Sequence, residues 1–416
     1  MSAISDMVLW RRLRSPSFAL LAATIALALV RARDQPGVAI SVGGTSATVV
    51  PGDVALAALF VLSVGVLARR AVSGMWWVVA PAVVFCGLVV GTAAANGSAE
   101  LVAGVKLVEL AALGLGAIAL VRNRDDYEAV ADVLILFTIV ADVIGLVEFV
   151  HGGGGRQSSF LGEHDFAALA SLPLLYGLVL VHRGERPGRA AVSIVAGAVG
   201  CTLGAALASL VGFYLGTLAL VVVVRKTLAL RPLLVTALVV ACVTAGTLTI
   251  RAGALGFLQS WFGKPPSRPG QYAASWSQRL IYTYVGFRVF VDHPVLGTGW
   301  YPLLPPSEFN RYLPAAHRRF SDQPANYFPP PGDPLIPQQT FDQVPAELGT
   351  IGSVALLAVL AGAVRAARRH ALPASWLAAA IGAIAGEAMF GGTPLTAVVW
   401  LVLGLCAAAA WRGTEA

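Results

Sequence analysis

The chain has 416 residues, is 57% hydrophobic and only 12% charged, and carries a net charge of +7, with a mean hydropathy of +0.75. Soluble domains carry about 25% charged residues, so the composition excludes a soluble globular protein and implies an all-α polytopic membrane protein. Cys86, Cys201, Cys242 and Cys406 stand singly inside apolar runs, without the Cys or His spacing of a metal site. No metal, cofactor or nucleic-acid partner is expected.

A bilayer core takes roughly 20 apolar helical residues. That ruler marks about twelve transmembrane helices, near 16–31, 53–68, 75–94, 101–121, 129–150, 165–181, 190–206, 208–224, 232–250, 344–364, 372–390 and 394–411. No signal-peptide cleavage site follows the first run, which is therefore expected to stay as a span. The seventh and eighth runs adjoin through "ALASLVG", where a tight hairpin is predicted. Seventeen Lys and Arg residues fall in the connections on one side, while the short loops on the other hold only Arg31, Arg33 and Arg156. The positive-inside rule then puts both termini in the cytoplasm, in a single membrane domain over 1–416 located in the cell's cytoplasmic membrane.

The same count leaves residues 251–343 as one large extracytoplasmic loop, far longer than the usual helix connection. It holds more basic than acidic residues, which asks for an anionic partner. The Pro-rich stretch 302–337 reads as an irregular surface segment, and "GGGGRQSS" at 152–159 as a flexible loop without the context of a P-loop. Lys106 and Glu109 in the fourth span are spaced to pair. With Asp132, Asp142 and Glu148 in the fifth, they form a structural network between the two spans, a proton or ion path, or a contact for lipid or acceptor.

Within the loop, "QRLIYTYVGFRVFVDHPVLGTGW" (278–300) predicts a short amphipathic helix from Gln278 to Asp292, ended by His293-Pro294 and two glycines. About 15 residues cannot span, so the helix is expected to lie along the membrane surface or fold back on the core. Arg279 and Arg288 are nine positions apart, which puts them on opposite faces. Arg288 has Asp292 four residues on, as for an ion pair. Arg279 sits in the first turn, where exposed amides favour an anion, and its planar fork of donors suits a diphosphate.

"RLIYTYVGFRVFVDHPVLGTG" resembles the signature of the O-antigen ligase and polymerase superfamily, in which an Arg opens a helix, a Pro lies 15 positions on and a Gly-x-Gly follows. "QQTFDQVPAELGTIG" (338–352) is similar to the family's next motif, approximately His-Asn-x-x-Leu-x-x-x-x-Glu-x-Gly, and "GEHDFAALASLPL" (162–174) to its entry into the sixth span. The resemblance covers roughly residues 155–360 and implies a twelve-helix membrane glycosyltransferase. Such an enzyme moves a glycan from a polyprenyl-diphosphate carrier to an acceptor hydroxyl at the outer face of the membrane. Its partners are then the lipid-linked glycan, a glycan or cell-envelope acceptor, and membrane lipid.

The resemblance implies that Arg279 and Arg288 hold the diphosphate and that position 338 carries the catalytic group. That position is Gln338, and an amide cannot serve as a general base near neutral pH. His164 with Asp165, His317, Asp342 and Glu347 are the candidate replacements. Trp300 and its aromatic neighbours either anchor the loop at the interface or stack on sugar rings. Two other functions stay open: a transporter of lipid-linked or anionic solutes, and a family member that binds the carrier without catalysis.

Overall fold

The computed structural model describes residues 8–69, 76–152, 154–224, 229–252, 271–301, 304–330, 332, 340–367, 371–390 and 396–411. Gln338 lies outside the described residues. The described chain is mostly helical: α1 (Leu9–Arg12), α2 (Pro16–Leu29), α3 (Pro51–Leu67), α4 (Trp76–Asn96), α5 (Ser98–Glu109), α6 (Ala111–Leu120), α7 (Arg124–His151), α8 (Glu163–Arg183), α9 (Pro187–Gly204), α10 (Leu207–Val224), α11 (Leu230–Ile250), α12 (Gln271–Asp292), α13 (Leu313–Arg319), α14 (Thr340–Ala367), α15 (Ala371–Phe390) and α16 (Ala397–Trp411). Local chemistry sets several starts. Proline occupies the first turn of α2, α3 and α9, where its missing N–H costs nothing. Asn123 caps α7 by accepting from the Asp126 N–H at 3.0 Å, while Asp126 returns to the Asn123 N–H.

Among the described residues, six helices are long and apolar enough to cross a membrane: α4, α5 running into α6, α7, α8, α11 and α14, with shorter apolar helices beside them. The apolar window of α8 is 78% buried within the protein and that of α11 only 17%. The bundle is therefore built around α8, which packs on α9, α10 and α15, and α11 lies at its edge. Leu230, Leu234 and Leu238 make an exposed stripe along α11, and Val140, Val143 and Val147 do the same on α7. Such stripes would drive aggregation in water, whereas in hydrocarbon they face their own kind.

The region between the first and second spans is not a plain loop. Strands β1 (Val38–Val42) and β2 (Thr45–Val49) pair antiparallel in register from Val38–Val49 to Val42–Thr45. Gly43 and Gly44 form the two-residue turn with φ of +56° and +84°, the left-handed conformation that such a hairpin requires. Ser98 at the start of α5 donates to the Gly43 carbonyl and bonds Thr45 Oγ1 at 2.8 Å.

Two expectations for the large loop are corrected. Helix α12 begins at Gln271 and runs 22 residues, seven earlier than predicted, because nothing between Gly270 and Arg279 breaks a helix; Arg279 is therefore its ninth residue and not in the first turn, so the expected help from exposed amides is corrected too. Residues 302–337 are not simply irregular: where described they carry short helical turns and α13. Together with Ile281, Val285 and Val289 of α12, Phe309, Tyr312, Leu313 and Phe328 form a small hydrophobic core of their own. Proline-rich spacing hid that core, since its apolar residues follow no helical or strand period. The 152–159 run is also anchored: the Gln157 N–H donates to Leu203 at 2.9 Å and Arg156 Nε to Gly204.

At the opposite, arginine-rich end the charges neutralise one another. Arg12 pairs with Asp126, Arg189 with Asp132 at 2.5 Å, and Arg124, Arg186 and Arg189 all reach Glu128. This corrects the expected network between the fourth and fifth spans. Lys106 does reach Glu109, at 3.5 Å, but its other partner is Asp53 of α3. Asp132 belongs to the arginine cluster, and Asp142 has a buried carboxylate oxygen without a hydrogen-bond partner. Helical spacing finds partners on one helix; which neighbouring helix supplies the rest depends on packing.

Candidate functional site

The two glycine-containing motifs of the large loop meet. Helix α14 is broken at Gly349 (φ +61°, ψ −158°), which strands backbone groups that an unbroken helix would pair. The turn after α12 takes them up. The N–H groups of Thr298 and Gly299 donate to the carbonyls of Ala346 (3.0 Å) and Glu347 (2.8 Å), while Thr350 and Ile351 donate to Pro294 (2.8 Å) and Val295 (3.2 Å). A Cβ on Gly297 would lie 2.3 Å from the Glu347 carbonyl carbon, and one on Gly349 2.4 Å from the Val295 carbonyl. Both positions also have left-handed φ, so neither conformation nor space admits a side chain. "HPVLGTG" and "PAELG" are thus two halves of one backbone clasp.

Beneath the clasp lies Glu347, fully buried. Its carboxylate accepts from Gln343 Nε2 at 3.3 and 3.5 Å and from the Tyr301 backbone N–H. Trp300 is buried to 4% exposure within the main core. Its N–H donates to Thr92 Oγ1 at 3.0 Å, and its carbonyl accepts from Asn96 Nδ2 at 3.2 Å. The clasp is therefore tied to the end of α4. Trp300 does not present a face to sugars, which removes stacking, one of its two expected roles. Thr92 and Asn96 were not singled out as site residues, since one hydroxyl in a span and one asparagine at its end give no sequence signal.

Helix α12 is fixed to α14 beside the clasp. Thr283 Oγ1 donates to Asp342 at 3.2 Å, and the backbone at Gly286 faces the same residue. Arg279 lies one turn before Thr283, on the same side of α12, and is half-buried. Arg288 is exposed, as half a turn of separation requires. Its expected ion pair is corrected: Asp292 instead accepts from Tyr312 Oη at 2.8 Å and from Arg311. Those hydrogen bonds, Tyr312 first, hold the Asp292 carboxyl below the usual carboxylate range, with the Arg288 charge a smaller contribution. Burial raises the Tyr301 hydroxyl above its ordinary value, helped by the charges of Glu308, Glu100 and Glu347.

The remaining candidates lie elsewhere. His317 is exposed on α13, stacked on Phe328 with centroids 3.8 Å apart. His164 is half-buried at the start of α8, and its neighbour Asp165 is exposed. Asp165 lines a cavity of about 320 Å³ that also contains Lys106, Asp53, Glu109 and Arg31. Asp165 is thereby grouped with the intramembrane charges and not with Glu347. Among the described residues no cluster of His, Cys, Asp and Glu has a metal-binding arrangement. No protein-family model and no curated protein matches the chain.

Proposed function

We propose that the protein is a membrane glycosyltransferase of the O-antigen ligase or polymerase type, with about twelve spans and both termini in the cytoplasm. It takes a glycan from a polyprenyl diphosphate and delivers it to an acceptor hydroxyl at the outer face of the cytoplasmic membrane. The observation that carries this reading is the clasp: the segments that resemble the family's two loop motifs are joined backbone to backbone, with Arg279 on the helix held beside them. In the reaction the acceptor oxygen attacks the anomeric carbon, the bond from that carbon to the diphosphate oxygen breaks, and the diphosphate leaves with the electron pair. Arg279 stabilises the charge that develops on it.

Glu347, fully buried beneath the clasp, has the role of supporting the site, and the acceptor proton passes to an exposed group, for which His317 is the accessible candidate in the same loop. The test uses membranes bearing wild-type, Arg279→Ala or Gln338→His protein, supplied with purified lipid-linked glycan. Product is expected to fall on the order of 10²-fold in Arg279→Ala at equal protein level and to rise in Gln338→His. Equal product from wild type and Arg279→Ala would refute the assignment.

A second reading, transport of an anionic solute, draws on the helix break at Gly349, since discontinuous helices line many transporter sites. Uptake of a lipid-linked or anionic solute by reconstituted vesicles, with no glycan product, would favour it.

A further inference from the structure

Helices α3, α4, α5 and α6 do not close on one another. Between them runs a cleft of about 680 Å³ with walls from Leu56, Phe60, Val83, Gly87, Val105 and Leu115. Phe60 and Val83 are 50% and 64% exposed, so the cleft opens sideways from the bundle, where hydrocarbon would lie. A Cβ added at Gly87 would meet nothing within 4 Å, so the wall at that point borders open space.

Among the described residues, the charged ones lining the cleft are Asp53 and Glu109, and both also line the 320 Å³ cavity that holds Arg31, Lys106 and Asp165. The two spaces therefore adjoin at Asp53, Leu56 and Glu109, one apolar and the other carrying both signs of charge. Lys106 is one-third exposed while paired with Asp53 and Glu109, and its ammonium group has three donors. A purely anionic head placed there would face three carboxylates, and an uncharged head would match neither sign. A head bearing a phosphate and an ammonium group satisfies both.

We infer that these adjoining spaces bind one zwitterionic phospholipid of the phosphoethanolamine type, with an acyl chain in the cleft, the phosphate towards Lys106, and the ammonium towards the carboxylates. The site is separate from Arg279 and the clasp, and its occupancy is read without any transferase assay.

The experiment is native mass spectrometry of the full-length protein in detergent with equal amounts of dioleoyl-phosphatidylethanolamine and dioleoyl-phosphatidylglycerol. One phosphatidylethanolamine is expected to be retained in preference to the glycerol lipid. Gly87→Phe, which fills the cleft, should lower that retention about tenfold, while Val143→Phe on the lipid-facing surface of α7 should leave it unchanged. Retention of phosphatidylglycerol equally or better, retention undiminished in Gly87→Phe, or no retained lipid would each overturn the inference. Should Gly87→Phe fail to fold, a photoactivatable phosphatidylethanolamine on the wild-type protein must label peptides from residues 51–67 or 76–120; labelling only elsewhere would overturn it as well.

Discussion

The two ends of the bundle both pair most of their charges but differ in what surrounds the pairs. At the arginine-rich end, Arg12, Arg124, Arg186 and Arg189 all meet carboxylates, and Arg189 with Asp132 is buried on both sides. At the loop end, Arg288 is exposed with no ion pair among the described residues, and the Lys106 cluster borders an open cavity. Pairs buried between helices hold them together and leave little for a ligand, whereas pairs beside open space stay within a ligand's reach. The positive side of the protein is thus its scaffold, and the loop end is where a ligand has room.

The sharpest way to break that contrast is Arg189→Ala. It leaves Asp132 buried without its main partner and is expected to cost about 3–5 kcal/mol, read as a fall in the thermal midpoint of purified protein. If the midpoint hardly moved, the arginine-rich end would not be a scaffold.

Gly349→Ala comes next. Strain at its left-handed φ costs on the order of 1–3 kcal/mol, and the clash with Val295 adds to it. Faster proteolysis in the 271–330 region at unchanged membrane level is the expected signature, because the clasp would open before the bundle does. Gly297→Ala should give the same pattern from the other side.

A smaller effect is expected from pH. The Asp292 carboxyl is held low by Tyr312 and Arg311, so its contribution to the loop is complete above the ordinary carboxylate value of about 4. It disappears as pH falls through the lowered folded value. Loop protection from proteolysis should therefore drop only below about pH 4 for the wild type, and Asp292→Asn should remove that step while being less protected at neutral pH. The smallest change belongs to Arg288→Ala, expected to shift stability by less than about 0.5 kcal/mol. A larger shift would show that the exposed arginine is structural after all.

Much of the fold was legible because hydrocarbon imposes a simple ruler. Apolar runs of span length mark helices whatever their neighbours, and the ends of α3, α4, α7, α8 and α9 fall within a few residues of the expected limits. The β1–β2 hairpin also had a signal, the Gly43-Gly44 pair between β-branched residues, which a search for long apolar runs passes over. The small core under α12 had none, since Phe309, Tyr312 and Phe328 follow no period.

The candidate site divides along the same line. Spacing along one helix placed Arg279 and Arg288 on opposite faces and joined Lys106 to Glu109. It could not show that Asp53 completes the Lys106 pair, that Asp292 turns to Tyr312 and Arg311, or that Trp300 is buried against Thr92 and Asn96. By itself the sequence determined a helical membrane protein with one long polar interruption, because length and hydropathy are sums over neighbouring residues. That Gly297 and Gly349 press backbone against backbone over Glu347 was decided only by the tertiary structure, because such a contact depends on which distant segments the packed bundle brings together.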